Sequence, residues 1–200
     1  MKILIIGATG TIGKAVSETL ELAQHDLISA GRNDTDYYVD ITSPNSIKAM
    51  YQNVGRVDAV ISVAGATHFG SLAELTPEKN EISIDSKLKG QVNLVLLGLN
   101  HVNDFGSFTL TTGVIVDDPI IGGVSAAMAS GAVRAFVQSS AQEMPRGIRI
   151  NEVSPNVLKE SIEKYGPFFP GFEPVAADRV AQAYRKSVEG GQTGRTYKVY

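Results

Sequence analysis

The chain contains no cysteine, no surplus of positive charge and no long apolar run. Without cysteine there are no disulfides, no iron–sulfur clusters and no thiolate zinc sites. Its 18 basic residues stand against 21 acidic ones, a net charge of −3. Non-specific nucleic-acid binding needs a basic stripe to release counterions, so no nucleic-acid partner is expected. The longest uncharged stretches, Ala59–Ala73 and Pro119–Val133, contain glycine. They fall short of the roughly 20 apolar residues of a membrane span, so no membrane partner is expected. The opening MKILIIGATG has too short an apolar run for a secretion signal, and a cytoplasmic location is expected. What is present is globular: 200 residues, 43% hydrophobic, enough for one well-covered core and too few for two ordinary domains. A single domain spanning residues 1–200 is therefore expected.

Strand-length apolar runs alternate with helical patterns along the whole chain. Lys2–Ile6 is continuously apolar after its lysine, as a parallel strand covered on both faces would be. Further strands are predicted at Asp26–Ala30, Tyr37–Val39, Asp58–Val63, Phe108–Val116, Ile148–Val153 and Arg195–Val199. Helices are predicted between them at Thr11–Ala23, Ser43–Asn53, Gly123–Ala141 and Val175–Glu189, and a helical stretch with room for a break at Thr76–Asn100. Ser43-Pro44 and Thr76-Pro77 pair an N-cap with proline at the first helical position. Such alternation implies right-handed crossovers and an α/β fold with a doubly wound parallel sheet of about seven strands.

Directly after the first strand comes Gly7-Ala8-Thr9-Gly10-Thr11-Ile12-Gly13, a Gly-x-x-Gly-x-x-Gly loop that opens the first helix. Glycines at this junction permit a tight turn, close approach of a pyrophosphate and tight helix–strand packing. The helix N-terminus then offers free N–H groups to phosphate. The expected fold is the dinucleotide-binding Rossmann fold, with Gly7, Thr9, Gly10, Thr11, Ile12 and Gly13 as candidate cofactor contacts; the alternative is a glycine turn with no ligand. After the second strand, Gly31-Arg32 stands where a dinucleotide site carries either an acid for a ribose or an arginine for a 2′-phosphate. Arg32 therefore favours NADP(H) over NAD(H), unless it is a solvated arginine paired with Asp34 or Asp36.

These residues resemble the short-chain dehydrogenases/reductases, and later segments extend the resemblance over nearly the whole chain. Val39-Asp40-Ile41-Thr42 is similar to the family's aspartate–hydrophobic pair, which implies adenine contacts for Asp40 and Ile41. Ser62-Val63-Ala64-Gly65-Ala66 falls where the family has Asn-Asn-Ala-Gly, and only Ala64-Gly65 survives as a cofactor-contact motif. Lys87-Leu88-Lys89-Gly90 matches an Asn-Leu-x-Gly segment with Lys87 at the asparagine. Val133-Arg134-Ala135-Phe136, Ile148–Pro155 and Gly194–Tyr197 follow in the family's order. The glycine spacing suits atypical family members, the later segments the best-known branch.

The resemblance implies a catalytic Tyr-x-x-x-Lys pair and a serine, and here the chain departs. Anchored on Val133–Phe136, the tyrosine position is Ala126 and the lysine position Ser130, and no tyrosine is followed by lysine at that spacing. Thr112 is the counterpart of the serine, or Thr111 if the strand is offset, and could equally be an ordinary strand threonine. Lys87 could restore ribose contact or positive charge in the cleft, and His68 could relay a proton; both could also be merely solvated. Asp117-Asp118 could suggest a metal but is expected to be solvated, and no metal is expected. The aromatic segment Tyr165–Phe172 falls where the family covers its substrate. The expectation is an NADP(H)-binding protein acting, if at all, as an unusual oxidoreductase on a small carbonyl or alcohol. Its rivals are a non-catalytic sensor or interaction module and a structural subunit with an empty site. Pairing of Asp85–Asn100 and Gly123–Ala141 between copies, as in the family, implies a homo-oligomer.

Overall fold

A computed structural model describes residues 1–200. Seven parallel strands form one sheet: β1 (Lys2–Ile6), β2 (Asp26–Gly31), β3 (Tyr37–Tyr38), β4 (Val57–Ser62), β5 (Val102–Thr111), β6 (Arg149–Pro155) and β7 (Thr196–Val199). Their order, β3-β2-β1-β4-β5-β6-β7, reverses direction between β1 and β4. The helices are α1 (Thr11–Leu22), α2 (Pro44–Val54), α3 (Pro77–Ser83), α4 (Gln91–Gly98), α5 (Val124–Ser140), α6 (Ile162–Tyr165) and α7 (Ala177–Glu189). Side chains alternate along each strand, so Leu4, Ile6 and Val60 face one side of the sheet while Ile3, Ile5 and Ile61 face the other. Helices α2, α4 and α5 cover the first side through Met50, Leu94 and Val133; α1 and α7 cover the second through Leu20 and Tyr184. Both sides are sealed, which explains why β1 reads as continuously apolar rather than alternating.

The caps form as predicted. Ser43 Oγ accepts from Ser46 N and Thr76 Oγ1 from Lys79 N, each ahead of a first-turn proline. One expectation needs correction. The fifth strand was expected over Phe108–Val116 but runs Val102–Thr111. Val57 pairs with Val102 and Ala59 with Ser107, so the intervening residues bulge out with Phe105 at φ 62. Asn103 bridges Arg56 and Asp58 at 2.9 and 2.8 Å, which holds the bulge in place. Beyond Thr111, Val114–Val116 winds into a single 3₁₀ turn instead of continuing the strand. The helical stretch expected over Thr76–Asn100 runs through, with the break that was allowed for within it. Between α3 and α4 the residues Ile84–Gly90 form a π-helical turn. Gln91 anchors that turn: Nε2 donates to Lys87 O (3.0 Å) and Thr111 O (2.9 Å), while Oε1 accepts from Thr111 N (2.8 Å).

Candidate functional site

Two adjoining cavities open at the carboxyl ends of the strands, beside the reversal between β1 and β4. Open α/β sheets bind ligands there because the crossover helices diverge to either side. The outer cavity measures about 670 Å³ and the inner one about 210 Å³. Gly65 lines both.

The three loop glycines do different jobs. Gly7 sits at φ +89, and a Cβ there would stand 3.1 Å from Ala64 N. Gly13 lets α1 pack at backbone distance, since a Cβ would fall 2.2 Å from Gly7 O. A Cβ on Gly10 would meet only Gly7 O at 3.5 Å, so Gly10 is the glycine that leaves free space. Helix α1 has no side-chain cap, which leaves its first-turn N–H groups without a side-chain partner. Gly7, Thr9 and Gly10 line the outer cavity and Ile12 the inner one, whereas Thr11 and Gly13 line neither.

Arg32 also lines the outer cavity, exposed and with no hydrogen bond or ion pair. The pairing with Asp34 or Asp36 is not made, because Asp36 is occupied by Ser29 N (2.9 Å) and Ser29 Oγ (2.8 Å). Asp40 accepts from Thr42 N and Oγ1, which holds its carboxyl below the ordinary value, with a smaller contribution from the Arg32 charge. Ile41 and Ala64 complete this wall. Sequence reading missed the opposite wall, formed by Glu78, Glu81, Ile82, Asp85 and Ser86. Their spacing of three and four after the Thr76-Pro77 cap marks one helix face, and that signal was available.

Lys87 defines the inner cavity. The π-helical turn directs it inward, where it is 8% exposed. Its stem crosses the Ala64-Gly65 turn so closely that a Cβ on Gly65 would lie 2.9 Å from Lys87 Cδ. Lys87 Nζ makes no hydrogen bond and no ion pair, and the side chain lines the cavity. Burial pulls its pKa from 10.5 down to about 8, while the negative charge of Glu152 acts in the opposite direction.

Thr112, not Thr111, faces this space. Thr111 Oγ1 is committed to Ser62 O (2.5 Å) and Tyr184 OH (2.6 Å) deep in the core. Thr112 Oγ1 reaches only Val153 O, at 3.5 Å, and lines the cavity. Ala126 and Ser130 line it too, from one face of α5, so the predicted register points both positions into the cavity. Ser130 Oγ has no partner within the chain. His68 lines neither cavity; its N–H is held by Ser83 Oγ and its ring lies against Gly70. Phe69, Tyr165 and Phe169 form the apolar outer wall, with the Phe69 and Tyr165 rings 5.8 Å apart. Asp117 is not solvated as expected. Arg134 (2.9 Å) and Lys198 (2.7 Å) hold it, the arginine chiefly keeping its carboxyl far below the ordinary range, and Arg134 also binds buried Glu152 at 2.6 Å. No three His, Asp or Glu side chains gather as a metal site would require.

A family model described as enoyl-(acyl carrier protein) reductase matches residues 11–189. The chain is 61% identical to the protein lin1944 from Listeria innocua, whose crystal structure superimposes over 100% of both chains with a TM-score of 0.98. It is 26% identical to the uncharacterized oxidoreductase YmfI of Bacillus subtilis, over 88% of this chain and 82% of that protein. A small-chain dehydrogenase crystallised in complex with NADPH is 23% identical and shares the fold, with a TM-score of 0.88 over 100% of this chain and 96% of that one.

Proposed function

The chain belongs to the short-chain dehydrogenase/reductase family, and from that we propose that it binds NADP(H) and transfers hydride between the cofactor and a small carbonyl or alcohol. The observation that carries this reading is the junction at Gly65, where an outer cavity with an open helix end meets an inner cavity holding Lys87, Thr112 and Ser130. The residues present fit the cofactor: Gly10 leaves room, α1 is uncapped, and Arg32 is unpaired. Gly7, Thr9 and Gly10 would hold the pyrophosphate, Arg32 the 2′-phosphate, Asp40 and Ile41 the adenosine end, and Ala64, Gly65, Ile12 and Lys87 the nicotinamide end. Bound there, NADPH supplies a hydride and NADP⁺ accepts one.

The chain's own contribution is orientation, exclusion of water and a proton. Phe69, Tyr165 and Phe169 shield the inner cavity, and its small volume matches a small substrate. Thr112 Oγ1, loosely held, is free to donate to a substrate oxygen. A second reading, a sensor that binds cofactor without turnover, is favoured by one observation: Ala126 and Ser130 line the cavity where the family has its tyrosine and lysine. General acid–base help contributes about a hundred- to ten-thousand-fold, so slow reduction of ordinary carbonyls is expected. Titrating the protein with NADPH and then mixing the complex with small aldehydes and ketones in a single turnover separates the readings. Saturable binding with carbonyl-dependent loss of NADPH absorbance supports the oxidoreductase; binding with no loss supports the sensor.

The same reading extends to assembly. Leu96 on α4 and Met128 on α5 are large, apolar and exposed at 56% and 45%. The covering surface is a second copy of the chain, and sedimentation of a single monomeric species would contradict this. No helix is long and apolar enough to cross a membrane.

A further inference from the structure

We propose that Lys87 donates the proton to the substrate's carbonyl oxygen, so that the π-helical wall of the inner cavity supplies what α5 lacks. The inference rests on the oxidoreductase reading above and names the group that performs its acid step. Lysine is the one cationic side chain in the inner cavity, and its Nζ has no competing partner. The ammonium is held in place from behind. Gln91 pins the Lys87 backbone to Thr111, and Gly65 admits the stem where any larger residue would collide with it. On α5, Ala126 leaves open the volume a tyrosine would fill, and Ser130 and Thr112 offer hydroxyls to the same space.

Two other donors are excluded by position. His68 lines neither cavity, and Tyr184 OH is buried against Thr111 Oγ1 at 2.6 Å. In the reduction, the carbonyl carbon takes hydride from the dihydronicotinamide, which is oxidised, and the C=O π pair moves onto oxygen. The Lys87 Nζ–H bond breaks as the O–H bond forms, leaving an alcohol and a neutral amine that water reprotonates. The groups facing Lys87 set when this proton is available. Desolvation brings its pKa to about 8, and Glu152 on β6, itself bound to Arg134, opposes that shift. Tyr165 is the other titratable side chain on the cavity wall, whereas the faces from α1, the turn after β4 and α5 present Ile12, Gly65, Thr67, Ala126 and Ser130, all uncharged. Asp85, on the same turn, is engaged outside by Lys89 at 2.8 Å.

The test follows single-turnover oxidation of bound NADPH by a panel of small aldehydes and ketones, across pH values on both sides of 8, in wild type, Lys87→Met and Lys87→Arg. In parallel, the ligand-free protein carrying ¹⁵N-lysine is titrated by NMR, with Lys87→Met giving the assignment. The wild-type rate should fall about tenfold per pH unit above the Lys87 pKa. Both variants, compared at saturating NADPH so that any loss of cofactor affinity is kept apart from the rate, should lose about a hundredfold and also lose the pH dependence. Lys87 Nζ should titrate near 8 in the ligand-free protein. A rate or pH limb that survives in Lys87→Met would overturn the proposal. So would full rescue by Lys87→Arg, which keeps the charge without a transferable proton, or a Lys87 resonance titrating at 10.5. A wild type that binds NADPH yet reduces nothing in the panel overturns the oxidoreductase reading together with the donor, whereas unchanged turnover in Lys87→Met overturns the donor alone.

Discussion

The outer and inner cavities share Gly65 but are built on opposite principles. The outer one sets a wall suited to phosphate and not costly to the fold, made of glycine turns, an uncapped helix end and one unpaired arginine, against a facing wall that carries Glu78, Glu81 and Asp85. The inner one places a desolvated ammonium in a small, partly aromatic space, where its charge opposes stability. Phosphate recognition can be built from turns the fold already needs. A buried ammonium beside a small cavity is held there against its own solvation, a cost that a function would offset.

The sharpest break in the comparison is at the glycine loop itself. Gly13→Ala forces a Cβ to 2.2 Å from Gly7 O, so α1 must move off the sheet. The expected cost is about 3 kcal/mol, a fall in melting temperature of roughly 10 °C with cofactor binding lost. Gly10→Ala should weaken NADPH binding with little change in melting temperature, because its Cβ meets only Gly7 O at 3.5 Å. If both variants melt alike, the division of labour among the glycines is wrong.

Lys87 should behave in the opposite sense. Its folded pKa of about 8 lies below the ordinary 10.5, so between those values the folded chain holds fewer protons than the unfolded one. The destabilisation is complete below pH 8 and is relieved as pH rises through 10.5. Lys87→Met should therefore stabilise the protein near neutrality, by up to about 3 kcal/mol or roughly 10 °C, and the gain should shrink at alkaline pH. Thermal melts of both proteins at several pH values check the sign.

Smaller effects refine each side. Arg32→Ala should weaken NADPH about ten- to hundredfold and leave NADH unchanged, as parallel titrations would register. Equal loss for both cofactors would move the 2′-phosphate elsewhere. Glu152→Gln removes the charge that raises the Lys87 pKa, so the alkaline fall in hydride transfer should move to lower pH.

Local signals carried much of this. The β1 run, the glycine loop and the two cap-plus-proline signals depend on neighbours in sequence, and each formed where it was expected. Placing Ala126 and Ser130 on the cavity needed only the helical period of α5. What escaped depends on contacts across the fold. The β5 bulge is held by Asn103 between Arg56 and Asp58, residues of another strand's start. Gln91 ties the π-helical turn to Thr111, and Lys87 on that turn is a cavity residue instead of a solvated one. The choice of Thr112 over Thr111 likewise required Ser62 and Tyr184, which claim Thr111 from other elements.

A crystal structure of the protein saturated with NADPH tests both halves at once. The expected result places the pyrophosphate on Gly7–Gly10, the 2′-phosphate against Arg32 and the nicotinamide in the inner cavity beside Lys87 and Thr112. A nicotinamide lying outside that cavity, or a 2′-phosphate with no contact to Arg32, would contradict it.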